Sequence, residues 1–316
     1  MRLIKNEWIK IWSQRNAQIM FLLVIIAVIG FSSLNKYFSP NAGSKEDRLA
    51  ANEEQLQNTE EMLASEGMFE EDRVYFEEEK QLIEYRITND LPAEGTMVFH
   101  DNMDQSVSLT MMLVGIFTMV IAAAIVSSEF GTGTIKMLLT RPVARWKVLL
   151  SKLLASFAFG FALFVTGIVT AIIVSLILFP TDQAFTLTFE NGEIVKTAMD
   201  VSYVDTYGKT LLYNGLSIMM TILFAFMLGS LFGSSTLAVS LALIIFLMGS
   251  MITMFISQYD FAKFIWFAND LSYYAPGSQP MLPDVTIGFS LAVNAVYAVI
   301  FLVVTFGYFM RRDIIA

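Results

Sequence analysis

One histidine and its acidic neighbours are the side chains in this sequence best suited to hold a metal ion. His100 precedes Asp101 and Asp104, and imidazole and carboxylate groups are common metal ligands. A lone surface histidine is usually only solvated, however, so we predict no metal site. The chain has no cysteine, which excludes disulfides, thiolate metal sites and cysteine nucleophiles.

A glycine-containing stretch comes nearest to a nucleotide-binding motif. Residues 131–136 read Gly-Thr-Gly-Thr-Ile-Lys. The phosphate loop of ATPases needs G-x-x-x-x-G-K followed by Ser or Thr, because its backbone N–H groups and its lysine cradle the phosphates. The spacing here is different. We therefore expect a chain that is not an enzyme, with no catalytic residue and no cofactor of its own.

Long apolar runs dominate the rest of the sequence. The chain is 55% hydrophobic and only 16% charged, with a mean hydropathy of +0.60, which is outside the range of ordinary soluble domains. Roughly 20 apolar helical residues cross the hydrocarbon layer of a bilayer. The sequence therefore predicts an all-α polytopic membrane protein with six transmembrane helices, at 16–35, 105–128, 153–180, 210–232, 236–256 and 286–310.

No predicted span contains Asp, Glu, Lys, Arg or His. Ion-driven transporters need ionisable groups near the membrane midplane to bind the driving ion. Any uphill transport by this protein thus requires another source of energy.

The basic residues predict the orientation of the chain, because Lys and Arg in short flanks resist translocation. Segments 1–15, 129–152 and 311–316 hold 11 of the 20 Lys and Arg residues, against three acidic ones. The other loops hold the remaining 26 Asp and Glu residues. We therefore expect both termini and segment 129–152 in the cytoplasm, and a strongly acidic outer face.

The first 15 residues predict an amphipathic helix lying in the membrane interface. Ile4, Trp8, Ile11 and Trp12 recur at helical spacing, which is typical of a surface-lying helix. A cytoplasmic extension of the first span is the alternative. In both cases Trp8 and Trp12 are predicted interfacial anchors.

Three loops are expected outside. Within the acidic region 36–104, leucines recur every seven residues at Leu49, Leu56 and Leu63, which favours two packed helices. Loop 181–209 contains alternating apolar residues around Asn191-Gly192, a strong β-hairpin signal. Segment 257–285 is rich in aromatic residues, a composition typical of the headgroup level.

The cytoplasmic segment 129–152 contains signals for a short helix between two spans. Glycine and threonine at 131–134 end the incoming helix and cap a new one over 136–139, because hydroxyls satisfy unpaired backbone N–H groups. Arg141-Pro142 ends that helix. Arg145, Lys147 and Lys152 then restart the chain beside anionic headgroups. An ordinary positively charged turn remains the alternative.

This segment resembles that of the permease subunits of type-two ABC exporters. In that family a glutamate at the end of the second span precedes a Gly-Thr stretch, a leucine-rich short helix, an Arg-Pro pair and a downstream basic residue. The resemblance extends to the N-terminal helix, the six-span layout and residues 309–313, although many members have a shorter first outer loop. It implies a coupling helix for a separate ATPase, with coupling residues Glu129, Gly131, Thr132, Gly133, Thr134, Lys136, Leu138, Arg141, Pro142 and Arg145.

The resemblance also implies the partners. These are two copies of a cytoplasmic ABC ATPase that holds ATP and Mg, a second six-span permease that is identical or homologous, and membrane lipids. No nucleic acid is expected. The location is a bacterial plasma membrane.

Two functions stay open at this point. The first is an exporter half that couples ATP hydrolysis by the partner to outward movement of an amphiphilic, lipid-like or peptide substrate. The second is an antimicrobial-peptide sensing or resistance module, in which the acidic outer domain captures a cationic ligand.

Overall fold

A computed structural model describes residues 2–40, 44–65, 69–131, 144–181, 185–190, 193–198, 203–276, 278–282 and 285–311. Its helices are α1 (Arg2–Trp12), α2 (Arg15–Phe38), α3 (Lys45–Leu63), α4 (Glu70–Thr88), α5 (Phe99–Gly131), α6 (Arg145–Leu178), α7 (Tyr203–Leu231), α8 (Ser235–Ile256) and α9 (Ile287–Arg311). Two strands, β1 (Phe185–Glu190) and β2 (Glu193–Ala198), lie between α6 and α7 in the chain. Three 3₁₀ turns follow α8, at Asp260–Phe264, Trp266–Asn269 and Leu271–Tyr274.

Six helices in the described part of the chain are long and apolar enough to cross a membrane. They are α2, α5, α6, α7, α8 and α9. The predicted six spans of a mainly helical protein are thereby confirmed by length and composition. The helix α6 starts at Arg145 rather than at 153, because Trp146, Lys147 and Val148 continue its helical turns before the apolar run begins.

The structure divides into two compact units, of which the first comprises Met1–Ile26, Ser108–Ile168 and Ser202–Ala316. Small residues let its helices approach closely. A Cβ atom added at Gly229 would collide with the backbone oxygen of Ala123, and one at Gly160 would lie 2.8 Å from Ile222 Cδ1. Close packing over glycine is the usual way in which membrane helices associate, since lipid tails remove the hydrophobic drive between them.

Segment 257–285, which contains the three 3₁₀ turns, was expected to lie at the level of the lipid headgroups. One of its aromatic residues is packed inside the protein instead. Trp266 is only 7% exposed, and its ring lies 5.3 Å from that of Phe224 and 5.7 Å from that of Phe301. Phe301 lies 14 residues beyond the first residue of α9, or about 21 Å along the helix. Trp266 is therefore a packing residue between α7 and α9, whereas Tyr259 and Phe261 are exposed.

Amide side chains fix this segment to α9. Asn294 Nδ2 donates to the Asn269 carbonyl at 2.7 Å, and Ser290 Oγ donates to Asn269 Oδ1 at 2.9 Å. Asn214, by contrast, donates to the Thr210 carbonyl within its own helix.

The second unit comprises Ala27–Val107 and Val169–Val201. In it α3 and α4 pack against each other, with ion pairs that join Arg48 to Asp90 and Lys80 to Glu60. Arg48 near the start of α3 pairs with Asp90 just after the end of α4, and Glu60 near the end of α3 pairs with Lys80 in the middle of α4, so the two helices are antiparallel. We call α3 and α4 the acidic hairpin.

A neutral polar network joins three candidate spans in the same unit. Asn102 Nδ2 donates to Ser32 Oγ at 3.1 Å and to Ser175 Oγ at 2.8 Å, while Asn35 Nδ2 donates to Asn102 Oδ1 at 3.1 Å. Ser32, Asn102 and Ser175 are fully buried. The network satisfies polar groups that would be costly to leave unpaired in an apolar setting.

The strands β1 and β2 form an antiparallel pair, with Phe185 opposite Ala198 and Glu190 opposite Glu193. The predicted Asn191-Gly192 turn lies outside the described residues.

Candidate functional site: a buried ion cluster

Four charged side chains meet where α1, the end of α5 and the start of α6 come together. Lys152 Nζ lies 2.6 Å from Glu129 Oε1 and 2.9 Å from Glu7 Oε2, and Lys10 Nζ lies 2.7 Å from Glu129 Oε1. We call Glu7, Lys10, Glu129 and Lys152 the ion cluster. It joins three helices of the first unit through two carboxylates and two ammonium groups.

Local helix geometry explains how the members meet. Glu7 and Lys10 are three residues apart on α1, so their side chains lie on the same face. Glu129 is in the last turn of α5, two residues before Gly131. Lys152 is eighth in α6, between Leu149 and Leu153, which are almost completely buried. Its four-carbon stem packs among apolar residues while the ammonium group reaches the two carboxylates.

Burial makes this cluster energetically important. The side chains of Lys152 and Glu129 are 1% and 3% exposed. A buried charge is tolerated only when it is paired, because the interior does not replace its hydration. The cluster pairs two positive with two negative groups and thereby joins the three helices, with Lys10 at its edge, where that side chain is 51% exposed.

One carboxylate oxygen of the ion cluster can accept a further hydrogen bond. Glu129 Oε2 is buried and accepts no hydrogen bond from any side chain or backbone group in the described ranges. The orphan oxygen lies in the same carboxylate whose Oε1 accepts from both lysines. Glu129 is the only member of the cluster with such a free acceptor.

The sequence-predicted coupling residues fall into two groups. Glu129, Gly131 and Arg145 are described, with Glu129 buried and Gly131 and Arg145 exposed as the terminal residues of α5 and α6. The others lie outside the described residues: Thr132, Gly133, Thr134, Lys136, Leu138, Arg141 and Pro142. The described coupling residues therefore lie before and after segment 132–143, which contains all the others.

Lys152 requires a correction. The sequence pattern placed it with Arg145 and Lys147 beside anionic headgroups, but it is paired with Glu7 and Glu129 in the interior. A signal was present in the sequence, since Lys152 interrupts an apolar run and Glu7 is the one acidic residue among the first 15. Only the fold shows that these two isolated opposite charges are partners.

The predicted anchors Trp8 and Trp12 pack partly within the protein. Their rings make an edge-to-face contact at 5.6 Å, and Trp12 stacks on Phe21 of α2 at 4.7 Å. Both side chains are half-buried. Their role as membrane anchors stays a prediction.

The predicted absence of a metal site also stays a prediction. His100 Nε2 lies 3.3 Å from Asp104 Oδ2. Over the ranges that the structure covers, no three His, Asp or Glu side chains come close enough together to hold a metal ion.

Six apolar helices that are long enough to cross a membrane define this chain as a multi-pass helical membrane protein. Residues 71–315 match the model of a family described as "Protein of unknown function (DUF2705)". The chain belongs to that family.

Two similar proteins come from Bacillus subtilis (strain 168). "Uncharacterized protein YhcI" is 33% identical over 324 residues, which cover 99% of each chain. "Uncharacterized membrane protein YdbK" is 31% identical over 206 residues, which cover 64% of this chain and 78% of the relative. The name of the second relative describes it as a membrane protein, which fits the six candidate spans of this chain.

Proposed function

We propose that this chain is the membrane-spanning, non-catalytic subunit of an ATP-driven exporter in a bacterial plasma membrane. Both termini and segment 129–152 face the cytoplasm, while the acidic hairpin and the β-hairpin face outward and α1 lies in the inner interface. A separate ABC ATPase, present in two copies, binds ATP and Mg, and a second six-span permease completes the assembly. The resemblance of segment 129–152 and the charge distribution between segments support this proposal.

The observation that carries the proposal is the ion cluster. Glu129 and Lys152 flank the proposed coupling helix, and their 2.6 Å ion pair joins the ends of α5 and α6. Glu7 and Lys10 tie the same pair to α1. A displacement of the coupling helix by the ATPase is therefore transmitted to two spans and the N-terminal helix together.

This geometry gives Glu129 an indirect role. Its side chain is 3% exposed, so it positions the coupling helix from within rather than touching the ATPase. ATP bound between the partner subunits favours one arrangement of the spans, because its affinity differs between the two arrangements. Residues 132–143 supply the surface that the ATPase contacts.

The cargo is amphiphilic, lipid-like or a peptide. The six sequence-predicted spans contain no Asp, Glu, Lys, Arg or His, and such residues normally mark the path of an ion through a membrane. An apolar or amphiphilic molecule needs no such groups.

We expect the neighbouring gene to encode the ABC ATPase, and the test co-expresses that ATPase with the chain and reconstitutes both in lipid vesicles. Arg141→Ala is expected to lower substrate-stimulated ATP hydrolysis while the amount of assembled complex stays the same. Arg73→Ala, which changes an exposed arginine on α4, is the matched control and should leave stimulation intact. Equal stimulation in both variants, or labelling of Lys136 by a reagent confined to the cell exterior, contradicts the proposal.

The acidic hairpin favours a second candidate function, capture of a cationic antimicrobial peptide. Val74 and Tyr75 are exposed on α4 near Asp72, Glu77 and Glu78, a combination that suits a cationic, amphipathic ligand. Deletion of 51–89 separates the two functions. Loss of peptide resistance with transport retained favours capture, whereas loss of both favours the exporter.

A further inference from the structure

An apolar groove lies between α6 and α7 in the first unit. It has a volume of about 380 Å³, which is within the usual size range of ligand sites. Phe164, Ile218 and Ile222 form a buried floor, and Phe161, Leu212 and Met219 form an exposed rim. The groove is therefore open on one side and closed on the other.

Two glycines give the groove its depth. A Cβ atom added at Gly160 would press on Ile222 and Thr118, whereas one added at Gly215 would meet no atom within 4 Å. Gly160 thus lets α6 approach its neighbours, and Gly215 leaves open space that a side chain would fill.

The groove lies near the middle of both helices. Gly160 is at least 15 residues from either end of α6, and Gly215 is at least 12 from either end of α7. These separations correspond to about 18 Å or more along the helix axes. Since both helices are candidate spans, this places the groove within the ~30 Å hydrocarbon layer of a bilayer.

The lining determines what can bind. None of the described residues that line the groove carries a charge, hydroxyl or amide in its side chain. A polar group placed there would lose its hydrogen bonds with water and gain none, at a cost of several kcal/mol. The occupant must therefore be hydrocarbon.

The shape narrows the choice further. On α7 the lining runs from Leu211 to Ile222, a length of about 16 Å along the axis. An apolar groove that follows a spanning helix over this length matches an extended hydrocarbon chain better than a compact ring system. Acyl chains of lipids are the hydrocarbon available at this depth.

We propose that the groove between α6 and α7 binds one acyl chain of a membrane lipid. The further step that the bound lipid is the transported cargo rests on the proposed exporter function. Lipid binding itself needs no ATPase, so a failure of the exporter proposal can be distinguished from a failure of lipid binding.

The experiment uses the purified full chain in phosphatidylcholine vesicles that contain a phosphatidylcholine with a photoactivatable diazirine in its acyl chain. After illumination, labelled residues are mapped by mass spectrometry. Groove residues such as Phe161 and Met219 should be labelled several-fold more than Ile177 and Phe255, which are 74% and 78% exposed and do not line the groove.

Two variants sharpen the result. Gly215→Leu should fill the groove and bring its labelling down to that of Ile177. Gly30→Leu is the matched control, because it makes the same change in open space on another candidate span and should leave groove labelling unchanged. Leu212→Trp, at the exposed rim, provides a second obstruction if Gly215→Leu does not fold.

Three outcomes overturn the inference. The first is wild-type labelling no higher in the groove than at Ile177 and Phe255. The second is full groove labelling in both obstructed variants. The third comes from a separate experiment with a photoreactive amino acid in place of Phe161: cross-linking to another copy of the chain instead of to lipid identifies a second permease as the occupant. Enriched groove labelling in a chain that recruits no ATPase supports lipid binding and contradicts the exporter alone.

Discussion

Two charged regions of this protein use the same residue types to different effect. In the ion cluster, the side chains of Lys152 and Glu129 are 1% and 3% exposed. In the acidic hairpin, the side chains of Lys80 and Glu60 form an equally short 2.6 Å pair but are 33% and 50% exposed. Distance alone therefore does not rank these interactions, and burial does.

The physical reason is the hydration of the charges. An exposed pair exchanges water contacts for a partner and is worth little, typically below about 1 kcal/mol. A buried pair has already lost its water, so each charge depends on the other. The ion cluster can consequently transmit a displacement among three helices, whereas exposed pairs of the hairpin yield to water.

The largest expected effect comes from removing Lys152. Lys152→Met keeps a long unbranched side chain but leaves Glu129 and Glu7 without their shared partner. We expect a loss of about 3 kcal/mol in unfolding free energy, at the lower end for a broken buried pair because Lys10 still contacts Glu129. Denaturant unfolding of the full chain in detergent measures it.

Lys147→Met is the matched control for that variant. It makes the same change in the same helix at an exposed position, and should alter the unfolding free energy by less than about 1 kcal/mol. Similar losses in both variants would show that burial does not determine the strength of the cluster.

The next effect tests the coupling between the two buried charges. In Lys152→Met combined with Glu129→Gln, the orphaned carboxylate is gone, so the double variant should be more stable than the sum of the single losses predicts. An interaction free energy of about 0.5–3 kcal/mol is expected for residues in direct contact. Strict additivity in the double-mutant cycle would mean that the 2.6 Å pair contributes nothing.

A smaller effect is expected at the exposed pair. Lys80→Ala should change the unfolding free energy far less than Lys152→Met does, and the difference should shrink further in high salt because exposed charges are screened. Unfolding at two ionic strengths measures both quantities. A loss as large as that of Lys152→Met would remove the contrast between the regions.

The smallest effect is a pH dependence within the hairpin. A hydrogen bond from Arg48 holds the pKa of Asp90 below its usual value. The carboxylate is thus favoured in the folded state, so its contribution is present above the usual Asp pKa and is lost as the pH falls through the lowered pKa.

Burial, reinforced by the nearby charge of Glu94, acts in the opposite direction by raising the pKa of Glu79. The Glu79 contribution is present at low pH and is lost as the pH rises through that raised pKa. Asp90→Asn isolates the first effect, because Glu79 is unchanged in it.

Hydrogen exchange of α3 and α4 in the full chain provides the measurement. Asp90→Asn should exchange slightly faster than wild type near neutral pH, and the two should converge in acid as Asp90 becomes protonated. A difference that persists below the lowered pKa would assign the effect to packing rather than to charge.

The sequence predicted the spans better than the contacts between them. Six apolar runs predict six spanning helices, because the rise of an α-helix fixes the number of residues needed to cross a bilayer. The heptad leucines were less informative. Leu49 is 39% exposed, while Asn52 and Thr59 are the buried residues of α3. Asn52 Nδ2 donates to the Leu91 carbonyl, a contact between α3 and the segment after α4 that the heptad spacing does not indicate.

The candidate site was predicted in part. Glu129 can be identified from the sequence, because it is the last charged residue before the glycines of segment 129–152 and matches the glutamate in the permease pattern. Glu7 and Lys152 are each recognisable as isolated charges, but the sequence does not pair them, since 145 positions separate them in the chain. A pairing between distant residues leaves no periodic signal in a single sequence.

What the sequence by itself determined is the medium of this protein: charge-free runs of membrane-spanning length, and a division of basic and acidic residues among the connecting segments. Only the tertiary structure decided which charges are buried together, that Trp266 packs between α7 and α9, and that Gly215 opens a groove. The reason is that crossing a bilayer depends on the composition of one continuous segment, whereas burial depends on which distant segments become neighbours.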